Sequence, residues 1–119
     1  LVNLILVDAI KKGASDIHLS PGYYPTLRID GALVPLSDQK ILSKTDIEGM
    51  VAALLGKDRK ARFEKTLEAD FSYQLGQDLR FRVNIYETRG NQAAVLRYVF
   101  FRIPGSGHDD LLWRALDAI

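Results

Sequence analysis

Apolar and polar positions alternate over residues 79–86, where Phe81, Val83 and Ile85 interleave with Arg80, Arg82 and Asn84. That period of two is the signature of a half-buried strand. A polar segment, 87–92, carries the turn signal Arg89-Gly90-Asn91, and 93–99 returns as a second strand. A hairpin symmetric about Arg89-Gly90 sets Phe81, Val83 and Ile85 on one face with Tyr98, Leu96 and Ala94. On the other face it sets Arg80, Arg82, Asn84 and Arg97, with Arg82 directly opposite Arg97. Like charges facing each other across a ladder are unfavourable. Two readings follow: the guanidinium forks hold an anion between them, phosphate being a good geometric match, or they fan into solvent and pair with nearby Asp and Glu. A register slip of one residue would remove the juxtaposition altogether.

The rest of the pattern supplies the elements around this hairpin. Residues 1–12 read as a helix with Leu4, Ile5, Val7 and Ile10 apolar, a basic end at Lys11-Lys12 and a stop at Gly13. Further apolar residues at 1, 2, 6 and 9 predict that much of its surface is covered. Residues 15–20 form a short strand with Ile17 and Leu19 inward and Asp16 and His18 on the opposite face. Residues 26–36 form a hairpin around Asp30-Gly31, with Arg28 turned away from Leu27 and Ile29 and Pro35 marking an edge or an ending strand. The spacing of Ile47, Met50, Val51, Leu54 and Leu55 predicts a helix over 45–56, opened by a Thr45/Glu48 capping box and stopped at Gly56. Asp58 opens a second short helix to about Leu67, its basic face (Arg59, Lys60, Arg62, Lys65) balanced by Glu64 and Glu68. Residues 68–75 then alternate with Ala69, Phe71, Tyr73 and Leu75 inward, and a turn at 76–78 joins them to the arginine hairpin as three consecutive antiparallel strands. Gly105-Ser106-Gly107-His108 reads as a linker, followed by an amphipathic helix from Asp109 or Asp110 carrying Leu111, Leu112, Ala115, Leu116 and Ile119.

Composition narrows the chemistry. With 119 residues, 47% of them hydrophobic, the chain has enough apolar material for one core. Sixteen basic and fifteen acidic residues leave a formal charge of +1, which gives nucleic acid no general attraction. There is no cysteine, hence no disulfide and no thiolate metal site. The apolar run at the start is too short to span a bilayer and lacks the basic flank of a signal peptide. Beginning at Leu rather than Met, the chain reads as a fragment. An Asp16-x-His18 pair is a possible start of a metal or acid–base site. With only one other histidine, His108, the reading adopted is that the two hydrogen-bond at a packed surface. There is no P-loop (Gly56-Lys57 runs into Asp58), no nucleophile-elbow serine motif and no zinc-protease helix. The chain carries no catalytic centre of its own.

Several short motifs occur together in one order: Ala14-Ser15-Asp16-Ile17-His18-Leu19, Leu27-Arg28-Ile29-Asp30-Gly31, Glu68-Ala69-Asp70-Phe71-Ser72-Tyr73, Leu79-Arg80-Phe81-Arg82-Val83-Asn84 and Val95-Leu96-Arg97. In these the chain resembles the N-terminal domain of the type II secretion and type IV pilus motor ATPases, on their PilT-like, twitching-motility retraction branch. The resemblance spans about residues 1–104. It implies an α+β, PAS-like domain, an antiparallel sheet with helices on one face, joined through 105–119 to a RecA-like ATPase domain that holds the catalytic machinery. It also implies a homo-hexamer, cytoplasmic and peripheral at the bacterial inner membrane, working with a pilus or secretion platform. ATP and Mg2+ are the ligands of such a whole protein, with none held tightly by this chain and no nucleic-acid partner.

By motif, Arg82 and Arg97 match the family's arginines that reach the ATP phosphates, with Arg28, Arg80 and Arg89 as secondary candidates. Asp16 and His18 match a signature for which a packing or subunit-interface role is expected. The segment 100–108 departs from the family pattern, which runs from an Ile-Pro directly into a Leu-rich stretch. An independent PAS-like sensor or protein-interaction module is the competing reading, and it requires an apolar ligand pocket.

Overall fold

The computed structural model describes residues 2–76 and 79–99. The expected linker and amphipathic helix at 105–119, the departing segment 100–104 and the turn residues 77–78 lie outside the described residues. The elements run α1 (Val2–Lys11), β1 (Asp16–Leu19), β2 (Thr26–Ile29), β3 (Ala32–Pro35), α2 (Lys44–Thr66), β4 (Glu68–Leu75), β5 (Leu79–Thr88) and β6 (Asn91–Val99). All the strands join one antiparallel sheet of order β3-β2-β1-β6-β5-β4. The fold is α+β, as the resemblance implies.

Two-residue turns set the register of the β2–β3 and β5–β6 hairpins. Asp30 and Gly31, and again Arg89 and Gly90, all have positive φ, the handedness that matches the right-handed twist of flanking strands. Arg89 is an unusual occupant of such a position, and Gly90 beside it supplies the freedom the turn needs. The resulting β5–β6 ladder pairs Phe81 with Tyr98, Arg82 with Arg97, Val83 with Leu96 and Ile85 with Ala94. The pairing is the one expected from symmetry about Arg89-Gly90.

One face of the sheet is apolar and both helices contribute to the core on it. Ile17, Leu19, Leu27, Phe81, Val83, Ile85 and Leu96 are fully buried there with Leu6, Ile47, Val51 and Leu55 from the helices. Phe81 and Tyr98 meet edge to face, 5.6 Å between centroids, a geometry aromatic quadrupoles favour. Tyr73 of β4 donates its hydroxyl to Asn3 of α1 at 2.8 Å, tying that helix across the sheet. The buried stripe of α1 is Val2, Ile5, Leu6, Ala9 and Ile10, whereas Leu4 stands 71% exposed. Its end is closed by paired bonds, Ala14 N–H to the Ala9 carbonyl and Gly13 N–H to the Ile10 carbonyl, both 3.0 Å, with Gly13 left-handed. Pro35 lies on β3, an edge strand whose residues are all exposed.

Helix α2 departs from expectation at its start. The cap is Ser43, not Thr45. Ser43 is extended (φ −84°, ψ 168°), its Oγ accepts from the Asp46 N–H at 3.0 Å, and the Asp46 carboxylate accepts from the Ser43 N–H at 2.9 Å. The spacing of the capping box is as read, but two residues upstream, and Thr45 is already helical. The break at Gly56 is present (φ 69°, ψ 178°), after which the chain re-enters helix and ends at Leu67, itself left-handed. The same capping geometry holds the Asp46 carboxyl down at about 2 from an ordinary 3.8, through the Ser43 N–H first and the Lys40 ammonium second. A carboxyl depressed in the folded state adds stability above its unfolded pKa and withdraws it as pH falls through the folded value. Acid unfolding followed by circular dichroism should therefore lose a component between about pH 4 and pH 2, and Asp46→Asn should abolish that component.

Candidate functional site

The face of the sheet opposite the core carries one transverse row of charge. Successive register partners from β2 to β5 are Arg28, Asp16, Arg97 and Arg82. Strand alternation puts these side chains on one face because each flanks core residues: Ile17 follows Asp16, Leu96 precedes Arg97, and Phe81 and Val83 bracket Arg82. Arg80 lies two positions along β5 on the same face, opposite Val99.

Carboxylates answer the repulsion between the facing arginines from outside the pair. Arg82 holds Asp70 of β4 through the Nε–Nη2 edge of its guanidinium, Nε to Oδ1 at 2.9 Å and Nη2 to Oδ2 at 3.0 Å. Arg97 donates through Nε to Asp16 of β1 at 3.2 Å. The other oxygen of Asp16 lies 3.6 Å from Arg28 Nε, and Arg28 also donates to the Gly31 carbonyl at 3.0 Å. Of the two readings of the arginine pair, the structure displays the second, pairing with nearby acids. The sheet order is β1-β6-β5-β4, so the two forks diverge: Arg97 turns toward β1 and Arg82 toward β4. The Asp70 carboxyl is held below its ordinary range by the Arg82 hydrogen bonds, and Arg82 is raised in return.

The two carboxylates differ in setting. The Asp16 side chain is only 13% exposed and serves two arginines, whereas Asp70 and Arg82 are 49% and 62% exposed. Asp16 does not bond His18, as sequence suggests it would. His18 stands between Thr26 and Val95 in the ladder, and its Nε2 is buried without a hydrogen-bond partner among the described residues. Arg89 sits at the hairpin tip, seven residues from Arg82 and thus roughly 23 Å along the strand. It is not brought to the row. Asp70 was not singled out in the sequence, although the hairpin joining β4 to β5 places it diagonally across from Arg82.

Guanidinium groups on an open face suit phosphate oxygens. Among the described residues no cluster of three or more His, Cys, Asp or Glu could hold a metal ion. Asp16 and Asp70 are both paired with arginines. No described helix is long and apolar enough to cross a membrane. A groove of about 540 Å³ lies between α2 and β4. Charged Asp58, Arg59, Arg62 and Glu68 line it beside Phe63, and Arg59 stacks 4.5 Å from the ring of Phe71. Ala69 and Phe71 join Phe63 in the lining, so the groove presents both charged and apolar surface.

Comparison with known proteins agrees with this architecture. No protein-family model matches the chain. It is 32% identical over 95 residues to the type IV pilus retraction ATPase PilT of Pseudomonas aeruginosa, covering 80% of this chain and 27% of that protein. It is 32% identical over 104 residues to the type IV pilus assembly ATPase PilB of Myxococcus xanthus, covering 82% of this chain and 18% of that protein. A crystal structure of the pilus retraction motor PilT with bound ADP superposes with a TM-score of 0.79 at 35% identity, over 87% of this chain and 30% of that one. The Legionella pneumophila ATPase DotB shares the fold, with a TM-score of 0.69 at 21% identity, over 83% of this chain and 28% of that one. The chain thus spans less than a third of the length of these relatives. The fold is that of the N-terminal domain of a motor ATPase. The chain belongs, in particular, to the PilT-like motor ATPases.

The unequal burial of the two carboxylates predicts unequal roles in stability. Asp16→Ala should lower the unfolding free energy by about 1–3 kcal/mol, because it strips two charged donors of a largely buried acceptor. Asp70→Ala should move the denaturation midpoint far less, its pair being solvent-screened. Urea unfolding of both variants checks the ranking.

Proposed function

We propose that this chain is the nucleotide-responsive N-terminal domain of a hexameric motor ATPase that powers type IV pilus retraction and twitching motility. In this reading the parent protein works in the cytoplasm, peripheral at the bacterial inner membrane, against a pilus or secretion platform. The domain's own partners are the RecA-like ATPase domains of the same and neighbouring subunits. Arg82 and Arg97 are the residues it presents to the phosphates of ATP. The observation that carries this reading is the direct opposition of Arg82 and Arg97 on the exposed sheet face.

Physically, two guanidinium groups on adjacent strands reach one oxyanion from both sides. Their positive charge stabilises the negative charge that phosphoryl transfer spreads over phosphate oxygens. A contact that exists only while the γ-phosphate is attached ties the orientation of the domain to the state of the nucleotide. The metal associated with ATP would be held by the part of the protein that carries the P-loop. Arg80 extends the positive face, Arg28 is occupied with Asp16 and Gly31, and Arg89 takes no part.

ATP turnover by the full gene product that contains this chain is the test. Arg82→Ala and Arg97→Ala should each lower kcat/KM by about 10²-fold, while residues 1–119 alone should not hydrolyse ATP. Normal turnover in both variants would leave the pair a structural feature and favour the sensor reading.

A further inference from the structure

The diverging forks have a consequence for how the arginines are used. An anion between β5 and β6 needs both guanidiniums turned inward, yet Arg82 is drawn toward β4 by Asp70 and Arg97 toward β1 by Asp16. The two restraints are not equivalent. Asp16 is largely buried, shares its charge with Arg28 and touches Arg97 only through Nε. The outer arms of that guanidinium are left toward solvent, on a side chain 75% exposed. Asp70 instead takes two donors of Arg82, the Nε and Nη2 edge of its guanidinium, in a bidentate geometry that a phosphate also takes. Both members of that pair are about half exposed, so exchanging one anion for another costs little desolvation.

We infer that Asp70 is a latch residue: it occupies the guanidinium fork of Arg82 until a nucleotide phosphate displaces it. The inference rests on the proposal that Arg82 contacts nucleotide phosphate. Asp16 acts as a fixed post that orients Arg97, and Asp70 is the exchangeable partner. Its place on β4 matters, because among the described residues no further strand on that side competes for the carboxylate. Release of Arg82 is then an anion exchange on the surface of the sheet. The ligand class is a polyphosphate, whose greater charge density and multiple oxygens outcompete a single carboxylate. Asp70 is thus a positioning residue acting through Arg82, and it sets the affinity for nucleotide more than the rate of its chemistry.

The test is steady-state ATP hydrolysis by the full gene product in four forms: unmodified, Asp70→Asn, Arg82→Ala and the double variant, with Asp70→Glu as a fifth. Asp70→Asn keeps the side-chain size and removes the competing charge, so KM for ATP should fall about two- to fivefold with kcat little changed. Asp70→Glu should return KM toward the unmodified value, and in the Arg82→Ala background Asp70→Asn should have no effect. A KM that is unchanged or raised in Asp70→Asn, or an effect that persists without Arg82, would overturn the latch. If Arg82→Ala itself leaves both kcat and KM unaltered, the arginine reading beneath it fails instead. Thermal unfolding of each variant identifies any loss that comes from folding.

Discussion

Strand β6 lies between β1 and β5, and its register against both neighbours fixes what appears on each face of the sheet. Against β5 it sets Leu96 on Val83 and Arg97 on Arg82; against β1 it sets Leu96 on Ile17 and Arg97 on Asp16. A slip of one residue on either side would drive Arg97 into the core and Leu96 into water. Burying an unpaired guanidinium is far costlier than the packing of one leucine can offset. The hydrophobic core therefore does more than hold the domain together. By locking Phe81, Val83 and Leu96 inward at essentially no exposure, it also locks the arginine-bearing positions outward and opposite one another.

The electrostatics of the open face follow from that constraint. Two like charges forced together by the ladder must be neutralised, separated or bridged. The structure separates them, with a carboxylate outside each member of the pair. In the proposed reading an incoming anion that bridges the arginines would relieve the same repulsion that the carboxylates now relieve. The sequence contains no P-loop motif, Gly56-Lys57 running into Asp58.

Much of this was legible in the sequence, for identifiable reasons. The β5–β6 register could be read because strict alternation and a two-residue turn determine it locally. The six-stranded order could not, because it depends on β1 meeting β6 and Asp16 lies 81 positions from Arg97. Local periodicity says which face a strand buries, not which strand it joins. Asp70 is not legible as a partner because its bond to Arg82 is diagonal across the β4–β5 ladder, two positions from the direct partner Ser72. The helix cap was misplaced because Thr45 with Glu48 and Ser43 with Asp46 share one spacing, and the extended backbone at Ser43 decides between them.

The central claim is that Arg82 and Arg97 act on one phosphate as a unit. A double-mutant cycle on ATP turnover by the full gene product tests this most directly, comparing Arg82→Ala, Arg97→Ala and both together. If the two guanidiniums clamp one anion, the double variant should lose little more activity than either single one. Losses that multiply, or a double variant that turns over ATP normally, would contradict the account.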